Sequence, residues 1–435
     1  MIEIIDYRKM SEQKRFFRAA DSYDVTDAVA EIISGVRERG DAALQEYTAR
    51  FDGAALSAIE VTKAEREEAL KKVDPTFIAI LEEAAANIRD YHSRQVKAGY
   101  EYSPREGVLL GRKITPLARV GLYIPGGTAS YPSSVLMNCI PARIAGVKEI
   151  LMVTPPDAEG TLSPDILAAA YVAGVDRIFK CGGAQAVAAL AYGTESVPRV
   201  DKIVGPGNAY VAEAKRQIFG LVDIDMIAGP SEILVISDRA SNPAVIAADM
   251  LSQAEHDKNA AAILVTVCKK FANAVVKELE KQLKVLPREE IARASIENNG
   301  RIILVKTIED AIDIANEIAP EHLELCVDEP MNYLDRIVNA GSIFLGRYCP
   351  EPLGDYFAGT NHTLPTSGTA RFSSGLSVED FVKSSSYMNY TADALAKDAG
   401  KIAVFAEREG LSAHARSITI RSEIDSCGLA KEKTK

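Results

Sequence analysis

Apolar side chains recur along this chain with two periods, and the changes of period divide it. From Val25 to Gly99 they fall three or four residues apart, as in "DAVAEIISGVRERG" and "IAILEEAAANIRDYHSRQVKAG", which predicts amphipathic helices. A hairpin-like stretch follows, "YEYSPREGVLLGRKITPLARVGLYIPGG". Beyond it, short apolar runs read as strands alternate with helical segments. "ARVGLYIPGG" leads into "YPSSVLMNCIPARIAG", "EILMVTPP" into "SPDILAAAYVAG", "RIFKCGG" into "AQAVAALAYG", and "DKIVGPG" into "NAYVAEAKRQIFG". The rhythm resumes with "AAILVTVC" before "KKFANAVVKELEKQL", "GRIILVKT" before "IEDAIDIANEIA", and "LELCV" before "MNYLDRIVNAG" and "SIFLG". Such alternation predicts right-handed βαβ units and parallel sheets. At 435 residues, two doubly wound α/β domains fit better than one sheet of so many strands.

At both ends the pattern lapses. Residues 1–23 are mostly polar and read as an arm. The last sixty residues pass from polar "TARFSSGLSVEDFVKSSS" through a helix, "ADALAKDAGKIAVFAEREG", to a β-like "ARSITIRSE". A tail that short cannot bury its own core, so it must dock on this chain or on a second copy.

Composition narrows the class. Hydrophobic residues make up 47% and charged ones 26%, as in soluble globular proteins. With 50 Lys and Arg against 61 Asp and Glu the net charge is −11, which argues against a nucleic-acid partner. One anionic cofactor held by backbone amides stays compatible. No apolar run approaches the ~20 residues of a membrane span, and the charged opening "MIEIIDYRKM" lacks a signal-peptide core. The six cysteines, at 139, 181, 268, 326, 349 and 427, form no CxxC pair. They read as free thiols of a reducing cytosol, so a cytoplasmic location is expected.

Three groups of residues carry candidate chemistry. Glycine-bearing turns close three strands: "YIPGGT", "KCGGAQ" and "VGPGNAY". Glycines there let amides approach a phosphate near helix N-termini, although each turn also reads as an ordinary strand-to-helix connection. Gln253 and His256 stand three apart at the end of a helical run, so on a helix they share one face. With Asp355 in "EPLGDYFAGTNHTLP" and His414 in "EREGLSAHARS" they offer nitrogen and oxygen ligands of the kind zinc takes. Read singly, His256 is equally a satisfied buried histidine and His414 a solvated one. In "NEIAPEHLEL", Glu321 and His322 join two proton acceptors of different pKa, suited to acid–base work or to stabilising a helix end. His92 reads as solvated.

Taken in order, ten stretches resemble the histidinol dehydrogenase family. They are "VGLYIPGG", "YPSSVLMNCIPARIAG", "GGAQAVAALAYGT", "VDKIVGPGNAYVAEAKR", "IDMIAGPSEILVI", "LSQAEH", "IAPEHLEL", "PEPLGDYFAGTNHTLPT", "GTARFSSGLSV" and "EGLSAHARSI", spanning about residues 25 to 420. Two departures, Lys258 where proline is often found and Ser384 where a basic residue is common, touch no proposed ligand.

The resemblance implies two incomplete Rossmann-like domains, one discontinuous (24–120 plus 234–375) with metal and catalytic residues and one (121–233) for NAD. A tail (376–435) would dock on the partner of a homodimer. It implies oxidation of L-histidinol to L-histidine through L-histidinaldehyde, with two NAD⁺ and one Zn²⁺ per subunit. By position, Gln253, His256, Asp355 and His414 match zinc ligands, and Glu321 and His322 the catalytic pair. Tyr123, Gln185 and Asn208 match cofactor contacts. Ser231 and Glu409 match substrate contacts alongside the metal ligands and His322, with Glu409 and His414 acting in trans. The rivals are a paralogous zinc and NAD dehydrogenase for another small alcohol, such as a sulfonated diol, and a zinc hydrolase.

Overall fold

The computed structural model describes residues 2–9, 24–126 and 130–426; most of the expected arm, Gly127 and Cys427 lie outside the described residues. After β1 (Glu3–Asp6), four helices follow: α1 (Thr26–Arg39), α2 (Asp41–Phe51), α3 (Lys63–Lys72) and α4 (Pro75–Ser93). Next comes the hairpin β2 (Tyr100–Arg105) and β3 (Val108–Pro116), paired antiparallel. Alternation then sets in: β4 (Arg119–Tyr123), α5 (Pro132–Ala145), β5 (Glu149–Thr154), α6 (Pro164–Ala173), β6 (Arg177–Lys180), α7 (Gly183–Tyr192), β7 (Lys202–Val204), α8 (Ala209–Ile218) and β8 (Asp223–Ile224). It resumes with β9 (Glu232–Ser237), α9 (Pro243–Ala254), β10 (Ala261–Thr266), α10 (Lys269–Leu283), α11 (Glu289–Asn298), β11 (Arg301–Leu304), α12 (Ile308–Ile318), β12 (His322–Cys326), β13 (Ser342–Leu345) and a short α13 (Glu351–Tyr356). The chain closes with β14 (Val382–Tyr390), α14 (Ala392–Arg408) and α15 (Ser412–Ser426). No helix among the described residues is long and apolar enough to cross a membrane.

Two parallel sheets repeat one topology. The first is ordered β6-β5-β4-β7-β8, the second β11-β10-β9-β12-β13 with β1 added beyond β11. Each sheet therefore starts at its centre and reverses direction once, the doubly wound order with a switch point beside the first strand. Burial on both faces explains the near-continuous apolar strands. Along β5, Ile150 and Met152 join one core with α3, α4, α5 and α6. Leu151 and Val153 join the other, with α1, α2, α7 and α8. The helices between 26 and 93 thus pack on the first sheet, although in sequence they sit next to the hairpin. In the second sheet Val235 and Leu264 face α9 and α10, while Leu234 and Val265 face α12.

The chain forms two compact units, residues 1–96 with 116–381, and residues 97–115 with 382–435. Two expectations fail locally, and a third gains detail. "ARSITIRSE" reads as β but lies within α15, where Ala415 meets Ala403 and Ala406 of α14. Small side chains let the two helices approach, and that contact overrides the preference of alternating β-branched residues. The arm begins as a strand, with Glu3 to Asp6 pairing in parallel with β11. His92 is only 1% exposed, its Nδ1 2.7 Å from Gln95 Oε1.

Candidate active site

In the second sheet, reactive side chains gather at the amino edge. Pro320 and the left-handed Ala319 (φ 54°) end α12 and turn the chain straight into β12. That places Glu321 and His322 beside the start of β9, with His322 in register with Ile233. One residue of β9 then orients both. Glu232 N–H donates to Glu321 Oε2 at 2.8 Å, and Glu232 C=O stands 3.0 Å from His322 Nδ1. A carbonyl only accepts, so Nδ1 carries a proton and the proton exchanged by His322 is the one on Nε2. Nε2 is buried without a hydrogen-bond partner, 3.6 Å from Asp355 Oδ1 and 4.0 Å from Glu351 Oε1.

Electrostatics follow from that crowding. Burial alone would lower the His322 pKa, but the charges of Glu321, Asp355 and Glu351 outweigh it and lift it to about 10. Burial pushes Glu321 up to about 8 and Glu351 to about 9. Asp355 is held below the usual carboxylate range: burial opposes this, and the neighbouring His322 and His362 prevail.

Three of the four expected metal donors, Gln253, His256 and Asp355, neighbour this cluster. Helix α9 stops at Ala254, so His256 lies just past the helix rather than on it. Its N–H still donates to Gln253 O at 3.1 Å, which keeps the two residues in one tight turn. Gln253 is fully buried, and neither atom of its carboxamide has a partner. The Gln253 side chain is close enough to Glu351 to lower its pKa. His256 has its Nδ1 3.4 Å from Ser231 Oγ. Its pKa is lowered by burial and perturbed by Asp355, His322 and His362. A buried carboxamide without partners, a carboxylate and imidazoles facing one another form a donor set that fits a divalent cation. Among the described residues two groups could hold a metal ion, His322 with Glu351 and Asp355, and Asp249 with Glu324 and Cys326; in each, the ligand atoms lie within 4.8 Å of one another.

Glu232, Glu351 and His362 were missed by reading along the chain. Glu351 and Asp355 stand four apart on α13 and could have been found as one helix face. His362 had a signal too: it is one of only five histidines, and three of the five converge here.

The three glycine turns converge at the carboxyl edge of the first sheet. Tyr123 Oη accepts from Gly183 N–H at 3.0 Å. Gly126 and Gly182 both abut Pro155, and a Cβ on Gly205 would lie 2.1 Å from Tyr123 O. Gln185 is buried against Gly183, and Asn208 Oδ1 caps α8 by accepting from Tyr210 and Val211 N–H. The rim lies at the switch point between β4 and β7, where doubly wound sheets take nucleotides. In the second unit, Glu409 ends α14 and His414 lies in the first turn of α15, both exposed.

A family profile described as "Histidinol dehydrogenase" matches residues 17–422. A histidinol dehydrogenase of Geobacillus kaustophilus is 58% identical over 396 residues, 91% of this chain and 93% of that one. One from Clostridium acetobutylicum is 54% identical over 417 residues, covering 96% and 97%. The crystal structure of histidinol dehydrogenase from Elizabethkingia anophelis superposes with a TM-score of 0.92 at 39% identity, covering 98% of this chain and 99% of that one.

Proposed function

We infer the reaction from the premise that this chain belongs to the histidinol dehydrogenase family, a family of oxidoreductases. The substrate is L-histidinol, oxidised by four electrons through L-histidinaldehyde to L-histidine, the last step of histidine biosynthesis. The observation that carries this reading is the Glu321–His322 pair held by the two backbone groups of Glu232, with His322 Nε2 buried and unpartnered.

A divalent cation, one Zn²⁺ per subunit, would be held by Gln253, His256, Asp355 and the His414 of a second copy. Bound there, it would anchor the substrate's nitrogens and neutralise charge that otherwise holds His322 as an imidazolium. Two NAD⁺ molecules, bound one after the other along the rim of Tyr123, Gln185 and Asn208, would each accept one hydride.

The rest belongs to the chain's own residues. His322 Nε2 takes the hydroxyl proton as the alcohol becomes the aldehyde. Glu321, as carboxylate, takes a proton from the water that adds to the aldehyde while His322 Nε2 returns its proton to the carbonyl oxygen, giving the hydrate and a neutral imidazole. His322 then takes a hydroxyl proton from the hydrate as the acid forms. Both bases are buried, which keeps bulk water from competing with the substrate for them. Ser231 and Glu409 would receive the substrate's polar groups, Glu409 from the partner copy. Exposure of Glu409 and His414 in their own unit is what such a contribution requires.

The test is stoichiometric. L-Histidinol should yield two NADH per molecule consumed, with no free aldehyde. Turnover without NAD⁺, or a yield of one NADH, sinks the reading.

A further inference from the structure

The turn after β7 is gripped by two charges that no step above uses. Lys215 and Asp225 form an ion pair whose side chains are 2% and 1% exposed. Lys215 Nζ also donates to Gly205 C=O at 3.0 Å. Asp225 Oδ2 accepts from Gly205 N–H at 2.7 Å, while its Oδ1 accepts from Met226 N–H at 2.6 Å. Both polar groups of one glycine are therefore bonded, each by one member of the pair.

A buried ion pair is a poor stabiliser, because desolvating two charges offsets most of their attraction and apolar side chains of like volume often do as well. What it does supply is direction. Gly205 has φ 115° and presses on the end of β4, so the turn has one seat and no slack. Three residues on, the same turn delivers Asn208 to the head of α8, the helix that also carries Lys215.

We propose that Lys215 and Asp225 are positioning residues for dinucleotide binding, clamping the Gly205–Asn208 turn so that its backbone and Asn208 meet the cofactor. The proposal rests on the reading that NAD lies along this rim. The clamp sets cofactor affinity, while the metal and the histidinol site stand on the other sheet.

The experiment replaces the pair by apolar residues, Lys215→Met with Asp225→Leu, in the full-length enzyme. It measures thermal melting, bound metal, NADH dissociation constant by fluorescence, and KM for each substrate. The variant should fold and keep its metal and its KM for L-histidinol. NADH affinity and KM for NAD⁺ should worsen about tenfold or more, the equivalent of one charge-assisted hydrogen bond. Lys215→Gln, which keeps the fold's polarity but cannot span to both partners, should weaken NADH in the same direction and is read alone if the double variant does not fold. A folded variant of either kind that binds NADH like the parent overturns the clamp. Asn208→Ser, which keeps a helix cap and removes the carboxamide, separates the two ideas. If it weakens NADH while folded clamp variants do not, the clamp alone fails. If the parent binds no NADH, or Asn208→Ser leaves its affinity unchanged, cofactor placement and clamp fall together.

Discussion

A single residue at the start of β9 governs the reactive pair: the N–H and C=O of Glu232 fix Glu321 and His322 at once. Removing the imidazole while keeping a group that can bond to that carbonyl should isolate its chemical role. His322→Asn is expected to lower kcat by ~10²–10⁴, the usual worth of a general base, with metal content at the parent level. Loss of metal would reassign His322 to the ligand set. Asp52 shows a different use of burial. Its Oδ2 is buried without a hydrogen-bond partner, and desolvation raises its pKa to about 6. Because the folded value lies above the unfolded one, the stability linked to this proton is complete below pH ~4 and lost as pH rises through about 6. Asp52→Asn should therefore raise Tm at pH 7.5 and leave it near the parent's at pH 4, a gain of about 1 kcal/mol at the higher pH once solvent screening of this half-buried carboxylate is allowed for. Equal effects at both pH values would show that charge is not the cause.

Strand β12 positions more than its own first residue. Two places after His322, Glu324 Oε1 accepts the N–H of Glu351 at 2.8 Å, fixing the head of α13 and with it Glu351 and Asp355. Glu324→Ala is expected to weaken metal binding about 10–100-fold, as loss of a ligand's support does, while Glu324→Gln keeps an acceptor and most of the affinity. Measured metal affinity across the two variants decides it: equal losses would mean that charge, not the bond to α13, matters. The helix-versus-strand error at α15 has the same lesson. Alternating Ile418 and Ile420 read as a strand, yet the alanine contact with α14 selects a helix. Local preference there amounts to tenths of a kcal/mol per residue and yields to packing.

Both sheets share one strand order but work from opposite edges. The first offers its carboxyl edge, with three glycine turns around Tyr123. In the second, the carboxyl ends of β9 and β12 are tied by Arg347, which bonds both oxygens of Asp238 at 2.9 Å and Asp328 at 2.6 Å. The reactive residues stand at the other edge. Completion of that site by a second copy can be tested directly. Mixing His322→Asn and His414→Ala subunits should restore about a quarter of parental activity, since half the dimers pair the two variants and each regains one site. No recovery on exchange would place His414 in its own subunit's site or outside any.

Alternating runs of apolar residues make the two α/β repeats readable from the chain alone. A strand buried on both faces and a helix with one apolar stripe leave unlike periods, and each period is set within a dozen residues. Glycine turns and the pair in "APEH" were visible for the same reason, being local. Which edge of the second sheet is reactive was not, because Arg347, Asp238 and Asp328 meet across 109 residues of chain. Nor was the gathering of Gln253, His256, Glu351, Asp355 and His362, whose order along the chain carries no information about distance. Helix α12 ending at Ala319, β12 starting beside β9, and Glu324 seating α13 bring them together. Those contacts arise from packing the whole chain, which no short window of residues encodes.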